Sequence, residues 1–251
     1  MYIKKVSVTN IRCFNRKKIT LKKGINIIYG KNGTGKTTLL EAVNMVSVGK
    51  SFKTSSSKNI IKSGEKEFNI KANTNNNDEI CVSGNGYNKK ITLNQSLVKK
   101  ISKHISFLPT IYSTPDSILY QGNNNGERQK NLNQTICLLS EEYTNILKKY
   151  NTALKQRNAA IKKKEPYNVW DEQIIERALF IWRKRKEITE KINREIKTIK
   201  QKNKIQHEIE FSIKGIKESK EEIKKEFNLK KEADERIGRT SCGPHMDRMA
   251  L

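Results

Sequence analysis

Cysteine is scarce in this 251-residue sequence, and the few thiols that it has are widely separated. Cys13, Cys81, Cys137 and Cys242 form no C-x-x-C pair and show no cysteine–histidine spacing typical of a metal site. The pattern argues against a disulfide-stapled domain and against a zinc site, which both need closely spaced ligands. We therefore expect reduced thiols and a protein of a reducing compartment.

Long hydrophobic runs are also absent from the sequence. The N-terminus, MYIKKVSV, contains no apolar core long enough for a signal peptide. No stretch approaches the roughly 20 apolar residues that a membrane-spanning helix needs. The sequence thus predicts a soluble, cytoplasmic protein with no membrane partner.

Acidic residues are few relative to basic ones. Asp and Glu number 26 against 51 Lys and Arg, which gives a formal net charge of +25. A surplus of this size indicates a polyanionic partner, and nucleic acid is the first candidate. An AT-rich genome would also raise the lysine, asparagine and isoleucine content through its codons. That alternative explains extra lysines anywhere in the chain, but it does not explain where they cluster.

A phosphate-loop pattern is present near the N-terminus, in the sequence GKNGTGKT at 30–37. It fits G-x-x-x-x-G-K-[ST], in which glycines let backbone N–H groups turn inward around phosphates. The apolar run at 25–29 predicts a buried strand before the loop, and the pattern at 38–45 predicts a helix after it. Strand, glycine loop and helix are the context that the motif requires. A glycine-rich turn that matches by chance is the alternative.

The chemistry of such a loop assigns roles to its residues. Lys36 is expected to reach the β- and γ-phosphates of ATP, and the Thr37 hydroxyl is expected to bind Mg²⁺. The first turn of the helix adds unpaired N–H groups and a partial positive charge. The predicted cofactor-binding residues of the loop are Gly30, Lys31, Asn32, Gly33, Thr34, Gly35, Lys36, Thr37 and Thr38.

Alternating residues predict a β-rich first part of the chain. Strands are expected at 3–8 and 18–21, and an antiparallel meander is expected over 67–93. Helical spacing dominates from about residue 126. We predict a β-rich part at 1–118, which contains the phosphate loop, and a helical part at 119–237.

Within the helical part, Pro166 interrupts the pattern. The elements predicted after it are a helix at 170–204, a strand at 205–213 and a last helix at 218–236. The basic run Arg183–Lys186 is expected to face solvent.

A working ATPase also needs an acidic residue at the end of a second buried strand, to hold Mg²⁺ and orient water. Glu141 and Glu142 follow an apolar run, but they sit inside a helical pattern that continues to Leu154. Asp171 and Glu172 follow too short an apolar stretch and suit a helix N-terminus. The sequence therefore predicts no metal carboxylate and no catalytic residue. The histidines are scattered, and we expect them to be structural or exposed.

A series of short motifs continues along the chain. VTNIRCF, GINIIYGKNGTGKTTLLEAV and VGKSFKT come first, and LPTIYSTPDSI, GERQKNLNQ, YNTALKQRNAAIK, VWDEQI and RIGRTSCGPHMD follow. In this order the set resembles the RecF family of bacterial recombination mediators, over essentially the whole chain. Two segments depart from the family's pattern: Gly126–Lys130 keeps only part of an Arg-rich run, and His245–Arg248 differs from His-Arg-Asp-Asp.

The resemblance implies an α/β (α+β) fold: an ABC-type ATPase head, incomplete here, with an inserted helical lobe. It thereby implies three parts: an ATP-binding lobe at 1–118, a helical lobe at 119–237, and a truncated return to the ATPase lobe at 238–251. It implies ATP and Mg²⁺ as cofactors, and binding to single-stranded and gapped double-stranded DNA in replication, recombinational repair and the SOS response. The implied partners are DNA, sister mediators that help load the strand-exchange protein, and a second copy of the chain in an ATP-dependent homodimer. Arg12 matches an arginine of the family and is predicted to lie near the phosphates, with a simple surface arginine as the alternative.

The family's pattern continues past the Gly-Pro-His segment into a signature loop and a strand with metal-binding acids. Because the sequence stops at Leu251, we expect a C-terminal truncation that removes the carboxylate, and negligible ATP turnover by this chain alone. Two other hypotheses stay open at this stage: a non-functional remnant that keeps only the phosphate loop, and a small-molecule P-loop kinase.

Overall fold

The computed structural model of the protein describes residues 1–54, 56–114 and 125–250. The chain forms two compact units: unit 1 is Met1–Tyr112 and unit 2 is Ser113–Leu251. The predicted boundary at 118/119 and the Pro115-Asp116 part of LPTIYSTPDSI lie outside the described residues. The three-part division of the chain therefore stays a prediction.

Unit 1 is built on a six-stranded antiparallel sheet with the order β2-β1-β3-β4-β5-β6. Its strands are β1 (Ile3–Ile11), β2 (Phe14–Thr20), β3 (Phe68–Thr74), β4 (Glu79–Gly84), β5 (Lys89–Leu93) and β6 (Ser96–Leu97). The two predicted N-terminal strands and the meander are confirmed. β1 and β2 are longer than expected because the turn between them falls at Arg12 and Cys13.

One face of this sheet is covered by helix α1 (Lys36–Val48), which packs on β1, β3 and β4. Leu39, Ala42 and Val46 recur at helical spacing and are buried against the sheet. Gly49 ends the helix in the left-handed conformation, with φ 69°. A short helix α2 (Ile101–Phe107) follows the sheet, and Phe107 and Leu108 join the same core.

The predicted buried strand at 25–29 is wrong. These residues form no strand, and Ile25, Ile27 and Tyr29 are 92%, 81% and 90% exposed. Only Ile28 of this run packs against the core of unit 1. A buried strand needs a neighbour for its N–H and C=O groups, and no described strand pairs with this segment.

Unit 2 is mainly helical. Its elements are α3 (Asn125–Leu139), α4 (Glu141–Lys163), α5 (Asn168–Asn203), β7 (Ser212–Lys214), α6 (Lys220–Ile237) and β8 (Arg248–Ala250). The helical pattern from residue 126 is confirmed, but it belongs to two helices. Ser140 lies between them, and its Oγ accepts a hydrogen bond from the backbone N–H of Tyr143 at 3.1 Å, which caps α4. The break at Pro166 and the long helix after it are also confirmed.

The core of unit 2 gathers around α5, whose buried stripe faces α4 and α6. The expectation that Arg183–Lys186 faces solvent is wrong for Arg185, which is 1% exposed. Successive helical residues are about 100° apart, so four in a row cannot share one face. The side chain of Arg185 continues the buried stripe of Ile174, Ile181 and Ile188.

The predicted strand at 205–213 is also largely wrong. Residues 205–211 are irregular, and a strand begins only at Ser212. There β7 pairs with β8 in a two-stranded antiparallel ribbon, with Ile213 opposite Met249. Among the described residues, none of the helices is long and apolar enough to cross a membrane.

Candidate functional site

The glycine loop of unit 1 has a backbone that only glycine tolerates at its closing position. Gly35 has φ 89°, in the left-handed region, and an added Cβ there would lie 2.3 Å from a Phe14 ring carbon and 2.7 Å from Cys13 Sγ. Gly33 also has positive φ, at 83°, but nothing lies within 4 Å of its Cβ position. The loop is thus packed against the β1–β2 turn on one side and open at its middle.

Helix α1 begins directly after this loop without a capping side chain. Gly35 occupies the N-cap position, so no side-chain oxygen accepts from the first N–H groups, and the first turn contains no acid. Those N–H groups and the helix dipole favour an anion at this end. Thr37 is exposed in the first turn, whereas Thr38 is buried.

The Lys36 side chain folds back across the loop. Its Nζ donates hydrogen bonds to the carbonyl oxygens of Gly30 and Lys31, both at 2.8 Å. Thr34 Oγ1 donates to the same Lys31 carbonyl at 2.8 Å. The loop therefore holds an ammonium group, free helix N–H groups and an exposed hydroxyl around an open glycine. This donor set fits a polyphosphate and an accompanying hard cation.

Arg12 lies on the turn after β1 and is held by helix α1. Its Nε and Nη2 donate to the Glu41 carboxylate at 2.7 and 2.9 Å, a bidentate pair in which the Glu41 side chain is fully buried. This hydrogen-bonded carboxylate raises the pKa of Arg12 despite its partial burial. Ser51 Oγ also donates to Glu41. Sequence reasoning missed both Glu41 and Ser51, because a helical glutamate gives no sign of burial before the fold is known.

The acids considered as metal ligands from the sequence lie on helices. Glu141 and Glu142 are in the first turn of α4, and Asp171 is in the first turn of α5. The Asp171 carboxylate accepts a hydrogen bond from Arg157 Nε at 2.6 Å. Among the residues that the structure describes, no cluster of three or more metal-ligating side chains is found.

A buried polar network fixes the late Gly-Pro-His segment within unit 2. Asp247 accepts hydrogen bonds from Trp182 Nε1 at 2.9 and 3.0 Å and pairs with the buried Arg185. Arg185 Nη1 also donates to the Pro244 carbonyl at 2.6 Å. Burial raises the pKa of the Asp247 carboxyl, while the Arg185 charge opposes that shift. This network also went unnoticed in the sequence, since its members are far apart along the chain.

His104 is buried and His245 is half-buried, and both have structural surroundings. His104 Nε2 donates to the Val46 carbonyl at 2.7 Å. His245 Nε2 donates to the Thr240 carbonyl at 3.1 Å, which leaves Nδ1 to accept from the Tyr150 hydroxyl at 2.7 Å. Burial lowers the pKa of both imidazoles.

The loop, the uncapped helix and the sheet beneath them define a P-loop nucleotide-binding protein. Residues 5–237 match the AAA domain family. The chain belongs to the RecF family of DNA replication and repair proteins: it is 31% identical to that protein of Clostridium acetobutylicum over 266 residues, which cover 100% of this chain and 73% of the relative. The corresponding protein of Thermoanaerobacter sp. is 29% identical over 98% of this chain and 73% of its own length.

Solved structures agree with this assignment. The recombination mediator protein RecF-ATP in the RecFOR pathway superposes with a TM-score of 0.86 at 25% identity, over 99% of this chain and 73% of that one. The RecF-ATPrS structure gives a TM-score of 0.87 at 24% identity and supports the fold. The expected mixed α/β fold, the RecF ATPase head, is thus confirmed. This chain spans about 72–73% of the length of these relatives.

Proposed function

We propose that this protein binds ATP and DNA in replication, recombinational gap repair and the SOS response. The observation that carries the proposal is the loop at 30–37, in which Lys36 Nζ and an uncapped helix N-terminus surround an open glycine. Its RecF relatives are DNA replication and repair proteins by name, and one solved neighbour is described as RecF-ATP. The net charge of +25 suits a polyanionic partner.

In this proposal the chain's own residues provide the phosphate contacts. Backbone N–H groups of Gly33, Gly35 and Lys36 surround the phosphates, with help from Lys31, Asn32, Thr34 and Thr38. The Lys36 ammonium leaves the carbonyls of Gly30 and Lys31 for the β- and γ-phosphates. The Thr37 hydroxyl is a ligand for Mg²⁺. The Mg²⁺ ion bound there neutralises part of the charge on the phosphates.

Arg12 completes the proposed site through the part of its guanidinium that Glu41 does not use. Glu41 holds Nε and Nη2, and Nη1 has no partner among the described residues. Arg12 also belongs to the turn that packs against the loop. The next two residues, Cys13 and Phe14, have the side chains nearest the Cβ position of Gly35. In this proposal Nη1 donates a hydrogen bond to a phosphate oxygen, while Glu41 holds the guanidinium in place.

The partners in this proposal are single-stranded and gapped double-stranded DNA, sister mediators of the same pathway and a second copy of this chain. ATP-dependent pairing of two copies on DNA would help place the strand-exchange protein at gaps. The free thiols at Cys13, Cys81, Cys137 and Cys242 fit a reducing cytoplasm.

The direct test is fluorescence anisotropy of a labelled gapped duplex, titrated with protein in the presence and absence of Mg-ATP. Wild-type protein should bind more tightly with Mg-ATP, whereas Lys36→Ala should bind DNA to the same extent with and without it. Lys23→Ala removes an exposed charge that lies outside the loop and is the matched control, which should keep the ATP response. A wild-type protein whose DNA affinity ignores ATP, or that binds no DNA, contradicts the proposal.

A further inference from the structure

The six-stranded sheet of unit 1 has two very different faces. Because side chains alternate along a strand, the register assigns residues to one face or the other. Beside the β1–β2 turn the alternation is interrupted at Asn10, whose φ is 55°, and Ile11 and Phe14 both pack in the core. Val8, Ile70 and Val82 lie opposite one another on the face that α1 covers, Val6 lies on the same face, and all four are buried. The other face is formed by the residues between them.

This second face, which we call the open face, is polar on all five strands from β2 to β5. Directly opposed residues form rows across the sheet, such as Lys18, Ser7 and Lys71 on β2, β1 and β3. None of its side chains is buried. Its residues are Arg16, Lys18, Thr20, Lys5, Ser7, Thr9, Asn69, Lys71, Asn73, Glu79, Cys81, Ser83, Lys90 and Thr92.

The charges of the open face are almost all positive. It carries Arg16, Lys18, Lys5, Lys71 and Lys90 against the single acid Glu79, which pairs with Lys71 at 2.6 Å. The other four cations have no carboxylate partner in the part of the chain that the structure describes. The ratio of five cations to one acid is above the ratio of 51 to 26 in the whole chain.

These cations are also crowded. Lys18 lies beside Lys5 across the β1–β2 pair, and its ammonium, with a smaller effect from Lys71, lowers the pKa of Lys5. Like charges held this close on a solvated sheet repel one another, and a bound polyanion relieves that repulsion.

We propose that the open face docks the phosphate backbone of double-stranded DNA. This inference rests on the proposed function and assigns its DNA contact to a particular surface. From β2 to β5 the cations span four strand spacings, about 19 Å at roughly 4.8 Å each, which is a width on the scale of a duplex. Ser7, Thr9 and Asn69, set between the cations, are hydrogen-bond donors of the kind that contact phosphate and sugar oxygens.

The composition of the open face favours a duplex over a single strand. Single-strand binding surfaces combine positive charge with aromatic side chains on which bases stack. The open face contains no Phe, Tyr, Trp or His among its fourteen residues. It can neutralise phosphates but cannot stack bases, which suits a structure whose bases are already stacked.

The test compares two double variants on the same two strands. Lys5→Gln with Lys18→Gln removes two cations from the open face. Lys4→Gln with Lys17→Gln removes two exposed cations one residue away along the same strands, where Lys17 lies opposite the core residue Val8. Both variants lower the net charge by the same amount. Duplex affinity is measured by anisotropy over a series of salt concentrations, with melting curves as a check on folding.

The open-face variant should bind duplex about tenfold more weakly at low salt. The slope of log affinity against log salt concentration should become less negative by about 2, because each lost phosphate contact removes about 0.9 from the magnitude of that slope. The control variant should keep the wild-type slope. Equal slopes for both variants, with wild-type protein still binding duplex, overturn this inference and leave the proposed function standing. Wild-type protein that binds no DNA overturns both, and an equal loss of single-strand affinity overturns the duplex assignment.

Discussion

Arg157 Nη1 donates a hydrogen bond to Asp234 Oδ2 at 2.8 Å, and the two side chains are 1% and 0% exposed. This pair joins α4 to the end of α6 inside unit 2. Asp234 Oδ1 also accepts from the N–H and Oγ of Ser241, at 2.8 and 2.6 Å. One carboxylate thus fixes both a buried cation and the start of the Gly-Pro-His segment.

Asp234→Ala should therefore destabilise unit 2 by about 3–5 kcal/mol, because it leaves the buried Arg157 charge with only the part-exposed Asp171 as an ionic partner. Urea unfolding followed by tryptophan fluorescence measures this, since Trp170 and Trp182 both belong to unit 2. Glu176→Ala, which breaks an exposed pair with Lys220, is the control and should change little. Comparable losses of unfolding free energy in the two variants would show that the buried pair stabilises unit 2 no more than the exposed pair does.

Arg12 should stabilise unit 1 through Glu41. Arg12→Ala leaves the buried Glu41 carboxylate with Ser51 as its remaining partner, which should cost about 1–3 kcal/mol. Hydrogen exchange of the α1 amides should speed up accordingly. Arg16→Ala, on the neighbouring strand, lacks such a buried partner and should leave those amides protected. If Arg12→Ala also leaves them protected, the Arg12–Glu41 pair is not holding α1 to the β1–β2 turn.

His245 should make the stability of unit 2 fall in mild acid. An unfolded histidine titrates near 6.5, and burial lowers the pKa of His245 in the folded protein, so the unfolded chain binds more protons below about pH 6.5. Stability should then drop as pH falls from 7.5 to 5.5, with a slope of up to about 1.4 kcal/mol per pH unit from this group. The raised pKa of Asp247 contributes with the opposite sign, because its carboxyl binds a proton more readily in the folded protein.

Fluorescence-detected urea unfolding at several pH values tests this dependence. His245→Gln should be less stable at pH 7.5 and should show a flatter slope. His207→Gln changes an exposed histidine of the same unit and should keep the wild-type slope. An unchanged slope in His245→Gln would assign the acid sensitivity to other groups.

The exposed run before the phosphate loop should promote self-association without adding stability. Ile27→Thr removes apolar surface that is 81% exposed, so it should leave the melting temperature nearly unchanged and reduce concentration-dependent light scattering. Ile28→Thr alters the one residue of the run that packs on the core, so it should lower the melting temperature. The reverse ranking of the two variants would contradict the assigned orientation of this segment.

Local pattern was enough to predict most elements of this fold. The alternation of polar and apolar residues predicted the meander, and apolar residues at helical spacing predicted α4 to α6. Pro166 and Gly238 marked two helix boundaries correctly. The loop at 30–37 was recognisable because its glycines, lysine and threonine are contiguous. Such features depend on residues close together in the chain, which is the information that a single sequence holds.

The errors have a common physical origin in contacts between distant residues. The run at 25–29 has the composition of a buried strand, but its state depends on a neighbouring strand. Arg185 looked like one member of a basic run, and its partner Asp247 lies far along the chain. Glu41 looked like an ordinary helical acid until the β1–β2 turn brought Arg12 to it.

The central claim is that the first turn of α1 and the loop before it bind a nucleotide through backbone N–H groups and Lys36. Isothermal titration calorimetry with Mg-ATP tests this most directly. Wild-type protein and Lys23→Ala should bind with similar affinity, and Lys36→Ala should bind at least tenfold more weakly through loss of a charge-assisted contact. Folded wild-type protein that gives no binding heat with ATP at any temperature would contradict the account.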